Sequence, residues 1–423
     1  MTTLHLDEVA ESTTARGFWT RSRKAGAMYL LLGAFAALVF GALAPGGEVA
    51  RFTLSENSEG LAVEVPAKLG AVLLGVLCAA VGVALLTRLA AHHFGWATAV
   101  AIGAFLLSFL CWQVAGDFMP LVRTASGTLF FALPIVLGSL GGLFCERAGV
   151  INIAIEGQLL MGAFGGALIG SVAGSVWLGL VGAAFGGLLI GALLAVFAIR
   201  YLVDQIVLGV VLYVLALGLT GYLYERVMQT EQATFNNPGT FREFAIPYLS
   251  DIPVIGPVLF EANVFLYIAL ALVTVVYFAL FHTRWGLRVR AVGEHPAAAD
   301  TVGIRVQWVR YRNVMYGGMI AGIGGAFFTI GSTGGFVKGM TNGQGFIALA
   351  ALIFGRWSPT GALAAAVLFG FANQLQDYLR LIDSPIDSQF LAMLPYIATI
   401  FAVAGLVGKV RPPAANGQPY VKG

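Results

Sequence analysis

About twelve stretches of this chain are apolar enough to enter a membrane, and they follow one another with short polar interruptions. A spanning helix needs about 20 mostly apolar residues. The candidates are roughly 26–44, 68–87, 95–115, 127–145, 148–173, 176–199, 205–224, 263–282, 313–335, 344–355, 360–376 and 390–408. Two depart from the pattern: 344–355 is too short to cross, and 148–173 opens with polar residues. Only 11% of the chain is charged, against about 25% in soluble domains. The 55 glycines suit closely packed membrane helices. The expected fold is therefore an all-α polytopic membrane protein with about 10–12 transmembrane helices.

The cations set an orientation. With the N-terminus in the cytoplasm, 17 of the 24 lysines and arginines fall in inside loops. Both termini are then expected to be cytoplasmic. Residues 1–26 are polar and mixed in charge, so they read as a cytoplasmic tail (1–25) and not as a cleaved signal. Segments 26–124 read as a peripheral addition and 125–408 as the working part. An acidic outer loop is expected at 44–68 and a longer outer cap at 225–262. The 409–423 tail is Pro-containing and polar, and is expected to be disordered. Nucleic acid is excluded as a partner, because the cations lie in short loops between spans. Cys78, Cys111 and Cys145 lie in or at the end of apolar runs without metal or disulfide spacing, and read as small buried hydrophobes.

Two interrupted segments carry the polar residues at membrane depth. In the first, Asn152, Glu156 and Gln158 follow Gly149. Asn152 and Glu156 are four apart and are expected to share a helix face. A carboxylate inside a span is costly, so Glu156 faces either an aqueous path or polar partners that brace the bundle. In the second, Asn342 and Gln344 precede a short apolar run that holds Phe346. Paired interrupted segments point to a translocation path, a rule drawn from secondary transporters and extended here by analogy. Phe130, Phe131, Phe164, Phe327, Phe328 and Phe346 lie near these points, where a planar solute could stack. Asp204 is placed to cap the helix after it.

The longest polar interruption of the second half is 286–312, with five arginines and Arg284 just upstream. Inside it lies a short helix signature: Pro296 at the first position, Ala297, Ala298 and Ala299, then Gly303 as a stop. No phosphate loop, zinc-protease or serine-hydrolase motif is present. No metal site is apparent, and the five histidines lie at or near inside loops. Glu156 reads as the one acid clearly inside a span, which is few for an ion-coupled carrier. Energy is then expected from a separate subunit.

Three stretches carry a resemblance: ERAGVINIAIEGQLLMGAF (146–164), WGLRVRAVGEHPAAADTVGI (285–304) and NGQGFIALAALIFGRWSPTGALAAAVLFGFANQLQ (342–376). They are similar to the permease subunits of bacterial ABC importers in the branched-chain amino acid and ribose permease superfamily. Within it they resemble the nucleoside or simple-sugar branch served by a basic-membrane-protein lipoprotein. The resemblance covers roughly 125–408. It implies a type II importer-like fold with re-entrant segments in the cell membrane. It implies a second permease subunit, two cytoplasmic ATPase subunits that use ATP and Mg, and an external binding lipoprotein. No cofactor belongs to this chain, which is a transport subunit and not an enzyme. The resemblance also implies that Gly293, Glu294, Pro296, Ala297, Ala298, Ala299, Asp300 and Gly303 dock on the ATPase. Asn152, Glu156, Gln158, Asn342, Gln344 and Phe346 are the candidate substrate-path residues. The competing readings are an ion-coupled carrier using Glu156, an ABC permease for a sugar or branched-chain amino acid, and a membrane scaffold.

Overall fold

The computed structural model describes residues 20–54, 61–382, 384, 386, 387, 389, 390, 393 and 411–422. Most of the span expected at 390–408 and most of the N-terminal tail fall outside them. Among the described residues nine helices are long and apolar enough to cross a membrane. The chain divides at Arg123/Thr124 into two compact units, and the end of the helix Pro359–Leu381 belongs, from Tyr378 on, with the first.

The first unit holds α1 (Arg21–Phe35), α2 (Ala67–Leu86) and α3 (Phe94–Gln113). Tyr29, Cys78, Leu85, Ala101 and Ala104 form its core. α1 continues through a π-turn at Ala36–Phe40, and Phe40 stacks on Trp112 at 5.2 Å. Part of the expected acidic loop is strand. β1 (Val49–Thr53) pairs antiparallel with β2 (Ala62–Pro66) and parallel with β3 (Phe118–Pro120). β-branched and apolar residues alternate with Arg51 and Glu64, which pair across the hairpin at 3.1 Å.

The second unit is built from α4 (Leu121–Arg147), α5 (Ile155–Ala173), α6 (Val176–Ala195), α7 (Gln205–Leu223) and α8 (Val264–His282). α9 (Arg284–Glu294), α10 (Pro296–Thr301), α11 (Val306–Phe328), α12 (Gln344–Phe354) and α13 (Pro359–Leu381) follow. Three boundaries differ from the sequence reading. Residues 148–154 are not helical, and α5 starts only at Ile155. α11 starts at Val306, seven residues before the expected 313, and Arg310 and Asn313 in its first turns are buried by the protein. The outer cap at 225–262 folds back as a two-stranded hairpin, β4 (Phe244–Ala245) with β5 (Glu261–Ala262). α12 is as short as expected, and Asp204 caps α7 by accepting from the Ile206 and Val207 amides. The three cysteines are free and buried.

α5, α6 and α11 cross so closely that side chains are excluded at their contacts. A Cβ at Gly322 on α11 would lie 2.3 Å from the Ala183 carbonyl of α6. In lipid this backbone approach, not hydrophobic burial, holds helices together. Gly322→Leu is therefore expected to lower the thermal unfolding midpoint in detergent, at a cost of at least about 1–3 kcal/mol. Gly103→Leu, where a Cβ meets nothing within 4 Å, is expected to leave the midpoint in place.

Candidate functional site

The two interrupted segments meet. α4 ends at Arg147, and Gly149 (φ +89°) turns the chain into the 148–154 link. Polar side chains hold this link in place of helical bonds. Ile151 N–H donates to Gln205 Oε1 at 2.7 Å, and Asn152 Nδ2 donates to Gln158 Oε1 at 2.9 Å. Asn152 and Glu156 therefore do not share a helix face, since Asn152 lies before the helix begins. α5 then opens with Glu156 in its first turn.

Glu156 reaches the start of α12. Its Oε1 accepts from Thr341 Oγ1 at 2.7 Å and from Gly343 N–H at 2.8 Å, and its Oε2 accepts from Gly345 N–H at 2.6 Å. The carboxylate sits at the positive end of α12 and satisfies amides that have no helical partner. Gly345 makes the approach possible: a Cβ there would lie 2.4 Å from the Glu156 nitrogen. Hydrogen bonds to a charged group contribute roughly 1.5–3 kcal/mol each, so three of them match the several kcal/mol that burying the charge costs.

The six path candidates separate by exposure. Asn152, Glu156 and Gln158 are at most 1% exposed. Gln344 is half-buried, while Asn342 and Phe346 are exposed. The Phe346 ring meets Tyr213 of α7 edge to face at 5.5 Å. Asn152 Oδ1, Gln158 Nε2 and Gln344 Oε1 are buried atoms without a hydrogen-bond partner among the described residues. Of the wider aromatic set, Phe164 and Phe327 are packed in the interior, and Phe130 lies on Phe327 at 4.7 Å.

A second buried acid went unnoticed in the sequence. Glu146, 2% exposed at the end of α4, accepts from Trp357 Nε1 and from Asn416 Nδ2 at 3.0 Å. Its neighbour Arg147 donates through Nε to the Trp357 carbonyl at 2.8 Å. These bonds hold Arg356 and Trp357 in the left-handed region (φ +53° and +51°), where α12 ends. The adjacent Glu-Arg at the head of the first motif and the Arg-Trp of the third were the available signals.

Asn416 belongs to the C-terminal tail, which is not disordered over 411–422. Ala415 N–H donates to Gly293 O at 2.9 Å, and Ala414 N–H to Glu294 at 3.1 Å. Gly417 N–H donates to Gly149 O at 3.3 Å, and Arg310 Nη1 to Gln418 O at 2.8 Å. Tyr420 packs with Val292, Ala299 and Val306. Partial burial and the Asp300 carboxylate push its phenol above the ordinary range. Small residues and prolines suit this strap because it lies against backbone, with Ala415 only 3% exposed.

The coupling candidates run from the end of α9 through α10 to the turn after it. Pro296 opens α10 and Gly303 (φ +84°) ends the turn after it, with Gly303 N–H bonded to Asp300 O and Ile304 N–H to Ala299 O. Ala299 faces inward. Ala297, Ala298 and Gly303 face outward, a smooth exposed surface of small residues. Gly293 is pressed against the end of α4, and a Cβ there would lie 2.2 Å from Arg147 O.

Two tests follow from this geometry. Glu156→Gln places an amide N–H₂ against N–H and O–H donors, and is expected to destabilise by about 1–3 kcal/mol, read as a lower unfolding midpoint. An unchanged midpoint would remove the bracing role. Deleting 411–423 strips Glu146 of the Asn416 donor and uncovers Val292 and Ala299, so proteolysis within 284–305 is expected to accelerate while α4–α8 stay protected.

Comparison with known proteins places the chain. The family model for the branched-chain amino acid transport system / permease component matches residues 124–404. The guanosine ABC transporter permease protein NupQ of Bacillus subtilis is 43% identical over 305 residues, covering 70% of this chain and 95% of that protein. The nucleoside ABC transporter permease protein NupC of Lactococcus lactis is 37% identical over 303 residues, again 70% and 95%. A putative glucose ABC transporter permease of Haloferax volcanii is 34% identical over 300 residues, covering 65% and 88%. No solved structure matches the chain. With two broken segments joined at a buried carboxylate and a family match across most of its length, the chain belongs to the branched-chain amino acid transport system permease family, as a multi-pass membrane subunit of an ABC transporter.

Proposed function

We propose that the chain is the translocating subunit of an ATP-driven nucleoside importer. The observation that carries the reading is the junction of 148–158 with 341–346 in a chain 43% identical to a guanosine permease. The two nucleoside-permease relatives cover 70% of this chain, more than the glucose-permease relative does. In this reading Asn342, Gln344 and Phe346, with Tyr213, form the surface the solute passes. The flat base lies on one of the Phe346 and Tyr213 rings with the other at its edge, and the amide groups meet its polar edge. Asn152, Glu156 and Gln158 hold that surface in place and do not touch solute while they are buried.

The solute is delivered by an external lipoprotein, and a second permease subunit completes the path. With both termini cytoplasmic, α10 faces the ATPase, which binds ATP and Mg. Ala297, Ala298 and Gly303 make the contact; Pro296 and Asp300 shape the turn; Glu294 is tied to the strap. Closure of the ATPases pushes α10, and the push reaches α4 through Gly293 and α12 through Glu146, Arg147 and Trp357. The path candidates at the head of α12 then move with it.

The test is made on the assembled transporter. Gly303→Val strains a left-handed position by roughly 1–2 kcal/mol and thickens the contact surface. It is expected to abolish stimulation of ATP hydrolysis by the loaded binding protein while membrane insertion is unchanged. Full stimulation in this variant would refute docking at α10. For the solute, a thermal-shift screen of the binding protein is expected to select nucleosides. Selection of a sugar or a branched-chain amino acid would overturn the substrate class and leave the docking result untouched.

A further inference from the structure

Apart from Arg310, which fastens the strap, the arginines of 284–312 have no role in the reading above. Four of them line one groove. Arg284 and Arg288 on α9 face Arg305 and Arg312 at the start of α11 across a cavity of about 860 Å³, flanked by Trp285 and Trp308. No carboxylate is among the residues that line it. Arg284, Arg288 and Arg305 make no ion pair among the described residues. Arg312 makes only neutral contacts: it donates to Tyr316 at 3.1 Å and lies 5.9 Å from the Trp308 ring. Four cations held close together with no counter-charge repel one another, and the arrangement calls for an anion from outside the chain.

The position of the groove says which anion. α8 spans to His282 and α11 begins its span at Val306. The groove therefore opens where the hydrocarbon gives way to water. Tryptophans concentrate at that level, and basic pockets there bind anionic head groups. α9 is amphipathic. Val289 and Val292 are buried, while Leu287 is 61% exposed beside the arginines. Trp308 is 58% exposed. A ligand that matches this mixture has a phosphate for the guanidinium groups and an acyl chain for Leu287 and Trp308.

We propose that this groove is a binding site for an anionic phospholipid, of the phosphatidylglycerol type. The phosphodiester is held by Arg288 and Arg305 in the charge-assisted, bidentate mode open to guanidinium. The site is distinct from the solute path, although Gly303 of the proposed ATPase contact lies on its wall, and it needs only that the chain sits in a membrane, so it stands whether or not the solute is a nucleoside.

The test is lipid retention by the full-length permease in detergent, read by native mass spectrometry. Phosphatidylglycerol and phosphatidylcholine of equal acyl chains are offered at equal concentration. Preferential retention of phosphatidylglycerol is expected, and Arg288→Gln with Arg305→Gln should reduce it by about tenfold or more, since each cation near an anionic head group contributes about 1 kcal/mol. Both positions are exposed, so the unfolding midpoint in phosphatidylcholine should not move. Three results would overturn the proposal: equal retention of the two lipids, displacement of the lipid by millimolar inorganic phosphate, or a double variant that keeps phosphatidylglycerol but loses its ATPase partner. The second would make the groove a free-anion site. The third would make it a protein contact.

Discussion

A helix that begins within a membrane-depth bundle presents amide groups that water cannot reach. α12 begins in this way, and the Glu156 carboxylate supplies the missing acceptors. The rest of the second unit follows from that bond set. Glu156 can stand at the head of α12 only because α5 starts late, after a link that Gln205 and Gln158 hold open. The link can run past α7 because Asp204 and Gln205 lie where that helix starts. Each interruption is stable because the other one is there. This is why two short runs with unremarkable composition, 185 or more residues apart, had to be found together.

The packing around the junction is stiff. α5, α6 and α11 touch through backbone, so none of them can slide without opening a gap that lipid must fill. The compliant parts are elsewhere. α10 is six residues long, with its small-residue face uncovered. The strap over 411–422 is fastened by backbone bonds to Gly293 and Gly149 and by side chains to Glu146, Glu294 and Arg310. A short helix backed by a strap can shift as a unit while the bundle keeps its crossing contacts.

The parts legible in the sequence were those set by local physics. Span lengths follow from bilayer thickness, the α10 turn from Pro296 and Gly303, and the α7 cap from Asp204. The misreadings were of residues whose partners are far along the chain. Asn152 was placed on a helix face because i and i+4 spacing suggested one. Its partners Cys145 and Gln158 instead flank a break. The tail was read as solvated from its prolines and small polar residues. The same composition is what lets a segment lie flat on Gly149 and Gly293. The 44–68 strands were missed because each is only five residues long and their pairing with Phe118–Pro120 is remote.

The two buried acids argue about energy. A carboxylate that carries a coupling ion or proton must present a lone pair to an aqueous path in one state. Glu156 and Glu146 instead spend their oxygens on the protein's own donors: Thr341, Gly343 and Gly345 in one case, Trp357 and Asn416 in the other. Protonating either would break bonds that hold α12 at its two ends, so ion binding there would unfasten the scaffold and not drive it. Among the described residues, both of these buried acids are committed to the scaffold, and neither is left over to carry a coupling ion.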